Sequence, residues 1–477
     1  MASVANGRIG KLWGRGHETF SSSIRRILSV KGPSATTYLQ GLVTSDLSKD
    51  APRSLVETPY HHGETHDNEE QQQRDRVVYN PNLYATCFLQ NKGRVVTDAL
   101  LWKLGKEEND EYLLDVPADT ADALLDHLHQ FKLRRTKVEI TDVSDRVTSH
   151  VIYGTLYSQD NHEPPEGCLG VGLDPRHASM GLRVLSSNNN NNNNSSSSSS
   201  FVSRLREEDF PSVPGTQNVL RKLTGIAEGM EVAGKTALET NQEWLTAVSF
   251  DKGCYLGQEL TARSHHTGRI RKRIMPIVLT DTQTAIPRPW ILAQQTQEQQ
   301  QQQQQQKRDT EQKGDDHKEN LALHQPLLPQ LSAAAVGGLW TLLQQQEEQQ
   351  FFQVNNNNDN SSGVQELVQR VHESVKPGDS IVENGKTIGR IVSTPADGTS
   401  LVLAQMRLDS VGLMPQQQQT TTWSKTNRVT LGEQDKSSSE TREFRYLPIL
   451  PVWWPSHLDP ASGKAMEAED PLEETTI

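Results

Sequence analysis

Phe250-Asp251-Lys252-Gly253-Cys254-Tyr255-Leu256-Gly257-Gln258-Glu259 is the densest cluster of special residues in this 477-residue chain. Glycines stand at −1 and +3 from Cys254, so the backbone can turn sharply or approach a neighbour closely on either side. The next stretch, 258–263, has helical propensity, and Glu259 falls near the first turn, where a carboxylate is favoured. A cysteine in a glycine turn ahead of a helix N-terminus, with Lys252 beside it, sits in an electropositive setting. Such a setting lowers a thiol pKa and favours the thiolate. Spacing alone supports a buried, unreactive Cys254 equally well.

Outward from this segment the sequence is patchy. Only 34% of residues are hydrophobic, 5% are aromatic and the net charge is −12. The polar excess is local: Asn and Ser fill 186–200, Gln dominates 294–306, and mixed Gln, Glu and Asn cover 344–363. Segments of this kind cannot bury enough apolar surface to offset their chain entropy, and they predict disordered insertions into a folded scaffold. No apolar run reaches the ~18 residues of a membrane span. The acidic balance argues against general nucleic-acid binding. Three cysteines, Cys87, Cys168 and Cys254, are too few and too far apart for a disulfide scaffold or a CxxC metal site, and a reducing compartment is the simplest setting for them.

The first 31 residues carry Arg8, Lys11, Arg15, Arg25, Arg26 and Lys31 against Glu18 alone, with serines at 21–23. An Arg- and Ser-rich, acid-poor start fits an organellar transit segment over 1–26, and, since Gly10, Gly14 and Gly16 weaken any amphipathic helix, it fits a plain basic N-terminus nearly as well. Residues 27–31 alternate like a strand; Pro33 then opens a short helix that Gly41 can close in the left-handed conformation. Strand patterns over 84–90 and 94–103 flank the turn Asn91-Lys92-Gly93. A strand over 111–116 ends at Pro117, and Asp119 or Thr120 is placed to cap a helix with Ala121, Leu124, Leu125, Leu128 and Phe131 at helical spacing. Extended structure returns at 138–140 and 147–153. The alternation predicts an α+β architecture. Past Arg271 helix periodicity is nearly absent, and short strands over 274–279, 380–383, 386–393 and 400–405 predict a small β-barrel.

The motif Lys-Gly-Cys-Tyr-x-Gly-Gln-Glu, followed by Leu260-Thr261-Ala262-Arg263, His265-His266 and Arg271-Lys272-Arg273, resembles the signature of the YgfZ-type folate-binding family, relatives of the glycine-cleavage aminomethyltransferase. Further segments resemble that family in order: Tyr38-Leu39-Gln40-Gly41-Leu42-Val43-Thr44-Ser45-Asp46, then Leu89-Gln90-Asn91-Lys92-Gly93-Arg94-Val95, then 223–229 and Leu238-Glu239-Thr240-Asn241. The His-His pair is similar to the mitochondrial branch, whose members help mature 4Fe–4S proteins. The resemblance runs from about residue 27 to 273, with a weaker echo over 385–405.

It implies an aminomethyltransferase-like three-part ring, two α+β portions plus a C-terminal small β-barrel, around a tetrahydrofolate site. The folate-binding region would cover 27–271, with insertions near 60–76 and 186–200. The barrel would cover 272–456, with insertions near 282–325, 344–366 and 416–440, before a disordered tail at 457–477. By resemblance Cys254 is the key residue, supported by Lys252, with Gly253, Tyr255, Gly257, Gln258, Glu259, Arg263, Gln40, Asp46, Asp98, Glu239 and Asn241 as motif and folate-pocket candidates. The implied function is a factor of the mitochondrial matrix, working with A-type iron–sulfur carrier proteins and 4Fe–4S client enzymes, without membrane or direct nucleic-acid contact. One cysteine supplies one of the four ligands usual for a cluster, so any transient 4Fe–4S cluster would need partner thiols.

The aminomethyltransferases carry an acidic pair after the glycine hairpin; here only Asp98 remains, which disfavours aminomethyl transfer as an independent turnover. A tetrahydrofolate-dependent aminomethyltransferase and an accessory to transfer-RNA modification are the alternatives. Residues 263–273 hold seven basic or imidazole side chains and no acid, a positive patch for a polyglutamate tail or an acidic partner, or equally a charged strand edge. Adjacent His265 and His266, read as a strand, point to opposite faces, which argues against a metal site. His61 and His62 lie in a polar insertion. Trp453 and Trp454 are expected to pack on the barrel.

Overall fold

The computed structural model describes residues 16–51, 80–105, 110–153, 168–177, 180–188, 212, 214–266, 268–280, 360–411, 428–432, 442–449, 451, 453 and 454. Three sheets, all with antiparallel strand pairings, organise the described residues. The first contains β2 (Arg25–Lys31), β3 (Leu83–Leu89), β4 (Val95–Lys103), β5 (Glu111–Pro117) and β6 (Glu139–Asp142) in the order β3-β4-β5-β2-β6. The second contains β1 (Gly16–Thr19), β7 (Val147–Tyr153), β8 (Cys168–Leu173) and β9 (Leu182–Ser187) in the order β1-β7-β9-β8.

The third is a closed barrel. Its strands β10 (Lys272–Thr280), β11 (Ser380–Glu383), β12 (Lys386–Ile391), β13 (Leu401–Arg407), β14 (Arg428–Gly432) and β15 (Arg442–Pro448) run in the order β10-β13-β12-β11-β14-β15, and β15 closes back onto β10. The α+β, three-part architecture expected from the sequence is therefore present.

The helices follow their apolar spacing. In α2 (Ala118–Phe131), Ala121, Leu124 and Leu128 are buried, and the helix covers the first sheet. Its N-cap is Pro117 without a side-chain cap, so neither Asp119 nor Thr120 takes that position. Asp119 instead accepts the N–H of Met230 at 3.2 Å. Helix α1 (Ala35–Gln40) ends at Gly41 with φ −78°, a right-handed and not left-handed end.

Other boundaries move as well. Residues 16–19 pair in register with 150–153, and Arg25 is buried in β2, so the described structure begins within the span expected as a transit segment. Ser186 and Ser187 belong to β9, not to the Asn/Ser insertion. Helix α5 (Asn360–Ser374) buries Leu367 and Val371 against the barrel core, a helix in a region whose sequence shows almost no helical periodicity. Strand β14 lies inside the stretch expected as a disordered insertion over 416–440, where a short Arg-Val-Thr-Leu-Gly run between polar tracts gave too little pattern to register. His61, His62, the Gln tract at 294–306 and the 457–477 tail lie outside the described residues.

Core packing joins the parts. Ile27, Cys87, Trp102, Val147 and Leu185 of the two open sheets share one apolar cluster with Ile274, Val392 and Leu403 of the barrel side. Trp244, Trp453 and Trp454 share another with Met275, Ile381 and Met406. The Trp453 indole N–H donates to the Thr224 carbonyl at 2.6 Å, as a buried indole requires.

Candidate functional site

Helix α3 (Thr216–Leu223) and a 3₁₀ turn at Gly229–Glu231 precede the cysteine segment, and α4 (Gln258–His266) follows it. Two signature segments, more than 160 residues apart, meet here. Gly257 (φ +76°) lies against the hairpin turn ending at Gly93 (φ +77°). A Cβ on Gly257 would run into the Gln90 carbonyl oxygen, and one on Gly93 would lie 2.7 Å from the Gly257 carbonyl oxygen. Only glycine meets both the dihedral and the contact requirement at these positions. Gly253, by contrast, is exposed with open space around it.

The same loop is tied to the segment after α1. Lys252 Nζ donates to three backbone carbonyls, Gln40 at 2.8 Å, Val43 at 2.7 Å and Ser45 at 2.8 Å, and lies 4.9 Å from the Tyr255 ring centroid. Leu256 N–H adds a bond to the Gly41 carbonyl at 2.9 Å, and Ser249 N–H one to Thr44 at 2.9 Å. Burial pulls the Lys252 ammonium down to about 8, opposed by the charge of Asp46. All three of its protons are therefore engaged in holding backbone.

Asp46 accepts from Gln40 Nε2 at 2.8 Å and Ser48 Oγ at 2.6 Å. These bonds, with Lys49 nearby, outweigh burial and bring it down to about 2. Gln40 Oε1 accepts the N–H of Leu47 at 2.8 Å. Gln40 and Asp46 thus shape the loop that receives Lys252.

On this platform Cys254 is exposed, while Cys87 and Cys168 are buried. Gln258 bridges back to the cysteine turn: its Oε1 accepts Tyr255 N–H at 3.0 Å, and its Nε2 lies 3.6 Å from the Cys254 sulfur. Burial pushes the Tyr255 phenol up to about 12. Glu259 is exposed in the first turn of α4, and Arg263 is exposed near its end, where its carbonyl accepts Gly268 N–H at 3.0 Å.

His265 and His266 lie in that helix, not in a strand. His265 stacks on Phe250 with centroids 3.6 Å apart. Among the described residues no group of three or more His, Cys, Asp or Glu side chains is placed to hold a metal ion.

The remaining folate-pocket candidates divide. Asn241, at φ +63°, is buried and joins the barrel: its Nδ2 donates to Ile274 O at 2.8 Å and its Oδ1 accepts from Arg273 at 3.3 Å. Arg273 pairs with Glu243 at 2.7 Å and lies 3.6 Å over the Trp244 ring, so it does not belong to a surface patch with its neighbours. Glu239 is half-buried and its carboxylate accepts Thr236 N–H at 3.3 Å. It also acts electrostatically on Lys235, as does Arg390.

Asp98 is buried and accepts the N–H of Gly229 at 2.8 Å. Burial first, and then the charge of Glu228, push its carboxyl up to about 6, with Arg176 opposing. It edges a buried ionic network that sequence reading missed. Arg25 bonds Asp115 and Glu228; Arg176 bonds Asp174 and Glu228; Arg183 bonds Asp174; Arg221 bonds Glu231. Burial alone would raise Glu228, yet Arg176, Arg25 and Arg221 hold it far below the usual carboxylate range. The available signal was Asp115 itself, a charge inside the apolar run Leu113-Leu114-Asp115-Val116.

No family model matches the chain. Curated relatives do. A protein of Mycosarcoma maydis named "Iron-sulfur cluster assembly factor IBA57 homolog, mitochondrial" is 30% identical over 260 residues, 53% of this chain and 55% of that protein. Proteins of the same name from Pyricularia oryzae and Dictyostelium discoideum are 30% and 29% identical, covering 54% of this chain and 56% and 61% of their own lengths. The chain spans a little over half the length of the curated relatives it matches. A solved aminomethyltransferase T of the glycine cleavage system from Bartonella henselae aligns over 97% of this chain and 91% of that chain, at 10% identity and TM-score 0.47. The resemblance read from the cysteine motif agrees with the names these relatives carry.

Proposed function

We propose that this chain is a folate-binding iron–sulfur cluster assembly factor of the mitochondrial matrix, needed for maturation of 4Fe–4S proteins and acting through the Cys254 thiol. The observation that carries this reading is the exposed Cys254, held on a loop that Lys252 fastens to three carbonyls and that Gly257 seats against Gly93. A rigid platform presenting one thiol outward suits transient ligation or thiol exchange with a partner and needs no resident metal. The relatives' names support the same role. The partners are A-type carriers and client apoproteins, which supply the remaining cluster ligands; the cluster is cargo.

For tetrahydrofolate, Glu239 is the candidate acceptor for pterin N–H groups; it is half-buried and its carboxylate already accepts Thr236 N–H at 3.3 Å. Gln40, Asp46 and Asn241 would act indirectly, by holding loops and strands. Bound folate would supply a one-carbon carrier or a structural ligand; this chain's residues would orient it and limit water. Asp98 faces Gly229 in the interior, which disfavours it as the acid or base of an aminomethyl transfer.

The test is complementation. In cells depleted of the native protein, Cys254→Ser should fold normally, bind tetrahydrofolate and fail to restore 4Fe–4S enzyme activities. Full restoration would remove the thiol from the mechanism. Anaerobic titration with tetrahydrofolate, and cluster spectroscopy with and without an A-type carrier, test the two ligands separately; Glu239→Gln should weaken folate binding without altering the thiol.

A further inference from the structure

Helix α2 is followed by the run Lys132-Leu133-Arg134-Arg135-Thr136-Lys137, in which Leu133 and all four cations are exposed. Leu133 is 58% exposed, one of three large apolar side chains that stand out among the described residues, with Ile24 and Met230. Cations at a helix C-terminus are ordinary, because they face the carbonyl end of the dipole, but that attraction fades within the last turn. It accounts for Lys132, the C-cap residue, and not for Arg134, Arg135 and Lys137 beyond it. Among the described residues no carboxylate forms an ion pair with any of the four. Nearby acids serve other cations: Asp122 pairs with Arg26, Glu111 pairs with Lys31, and Glu139 stands across from Lys31 in the β2–β6 register.

The run has a fixed backbone. Lys132 N–H donates to the His129 carbonyl at 3.3 Å, and Thr136 N–H closes a turn onto Leu133 at 2.9 Å. Ser34 N–H, at the start of α1, donates to the Lys137 carbonyl at 3.4 Å. Gly32, at φ +137°, packs against that same carbonyl, where a Cβ would run into it. Four like charges are thus held in one short turn beside an uncovered leucine, and a ligand need not order the loop on binding.

We propose that residues 132–137 are a docking surface for an acidic segment of a partner protein, whose carboxylates meet Arg134, Arg135 and the two lysines while an apolar side chain covers Leu133. The guanidinium fork suits carboxylates as bidentate partners. The net charge of −12 selects against an extended polyanion. A membrane or a nucleic acid presents its charge over a wide surface and is repelled by the rest of the chain. A short acidic segment lies within a Debye length of the run, ~8 Å at physiological salt, and feels chiefly the four local cations. The inference rests on neither folate nor cluster binding.

Fluorescence anisotropy tests it on the full chain, with a short fluorescein-labelled peptide of repeating Asp-Glu-Leu-Glu as the probe. The peptide should bind at low ionic strength, and Arg134→Glu with Arg135→Glu should weaken it about tenfold, the loss of two exposed ion pairs. Leu133→Ser, at an exposed position, should weaken it about threefold, as should serine in place of the peptide's leucines. Lys376→Glu with Lys386→Glu, the same charge change at exposed positions on the barrel side, should leave the affinity within about twofold. Absence of binding overturns the proposal, as does a loss no greater for the arginine pair than for the barrel pair, or indifference to Leu133→Ser. Tighter binding to phosphatidylglycerol vesicles or to an RNA oligonucleotide, abolished by the arginine substitutions, also overturns it and assigns the run to that surface.

Discussion

Lys252→Met keeps an unbranched apolar stem one atom shorter and removes the three donors that hold the cysteine loop. Hydrogen bonds to a charged donor are worth roughly 1.5–3 kcal/mol each, so three total about 4.5 kcal/mol at the low end. Relief from burying an ammonium offsets part of this, leaving a net loss of about 3 kcal/mol. The loss is local, because the carbonyls belong to residues 40–45 and the loop to 249–257. The reporters are therefore Leu256 N–H, bonded to Gly41, and Ser249 N–H, bonded to Thr44. At 1.4 kcal/mol per factor of ten, these amides should exchange with deuterium about 100-fold faster in the variant. Strand β5 should exchange as before. Exchange within about threefold of wild type at 249–256 would show that Lys252 is not the fastener. An equal acceleration in β5 would show that the damage is global.

Gly257→Ala forces a Cβ into the Gln90 carbonyl at positive φ and should destabilise the protein by about 3 kcal/mol, whereas Gly253→Ala, facing open space, should cost under about 0.5 kcal/mol; urea denaturation followed by tryptophan fluorescence separates them. Asp98 titrates at about 6 when folded and at about 3.9 when unfolded. Between those values the folded state holds the proton longer, so its contribution to stability falls as pH rises through that window. Asp98→Asn should flatten this slope, as read from melting temperature against pH; an unchanged slope would assign it to other groups.

Much of the scaffold was legible because it repeats simple periods. The strands at 95–103, 111–117 and 147–153 and the helix carrying Ala121, Leu124 and Leu128 follow alternation or helical spacing, and the Asn91-Lys92-Gly93 turn declares itself. Strand β8 did not, since Gly170 and Gly172 dilute its apolar alternation. Helix α5 begins amid Asn and Ser, which mask the later apolar positions Leu367 and Val371. At the candidate site the motif identified Cys254, Gly257 and Gln258 by type and spacing. It could not show that the Lys252 charge is directed at carbonyls from residues 40–45, nor that Asn241 and Arg273 face the interior. Such roles depend on contacts between segments far apart in sequence, which no local pattern encodes. The buried network of Arg25, Asp115, Arg176 and Glu228 was hidden for the same reason.

The closed barrel bears on the glutamine-rich sequence that interrupts it. Gln- and Asn-rich stretches are prone to assemble by adding strands to exposed sheet edges. Each of the six barrel strands has a neighbour on both sides, with β15 closing onto β10. The chain leaves β10 at Thr280 toward the Gln tract at 294–306 from a strand already paired on both edges, with β13 and with β15. Ring closure thus denies the inserted tracts a template at their point of attachment, allowing this barrel to host sequence that an open sheet would tolerate poorly.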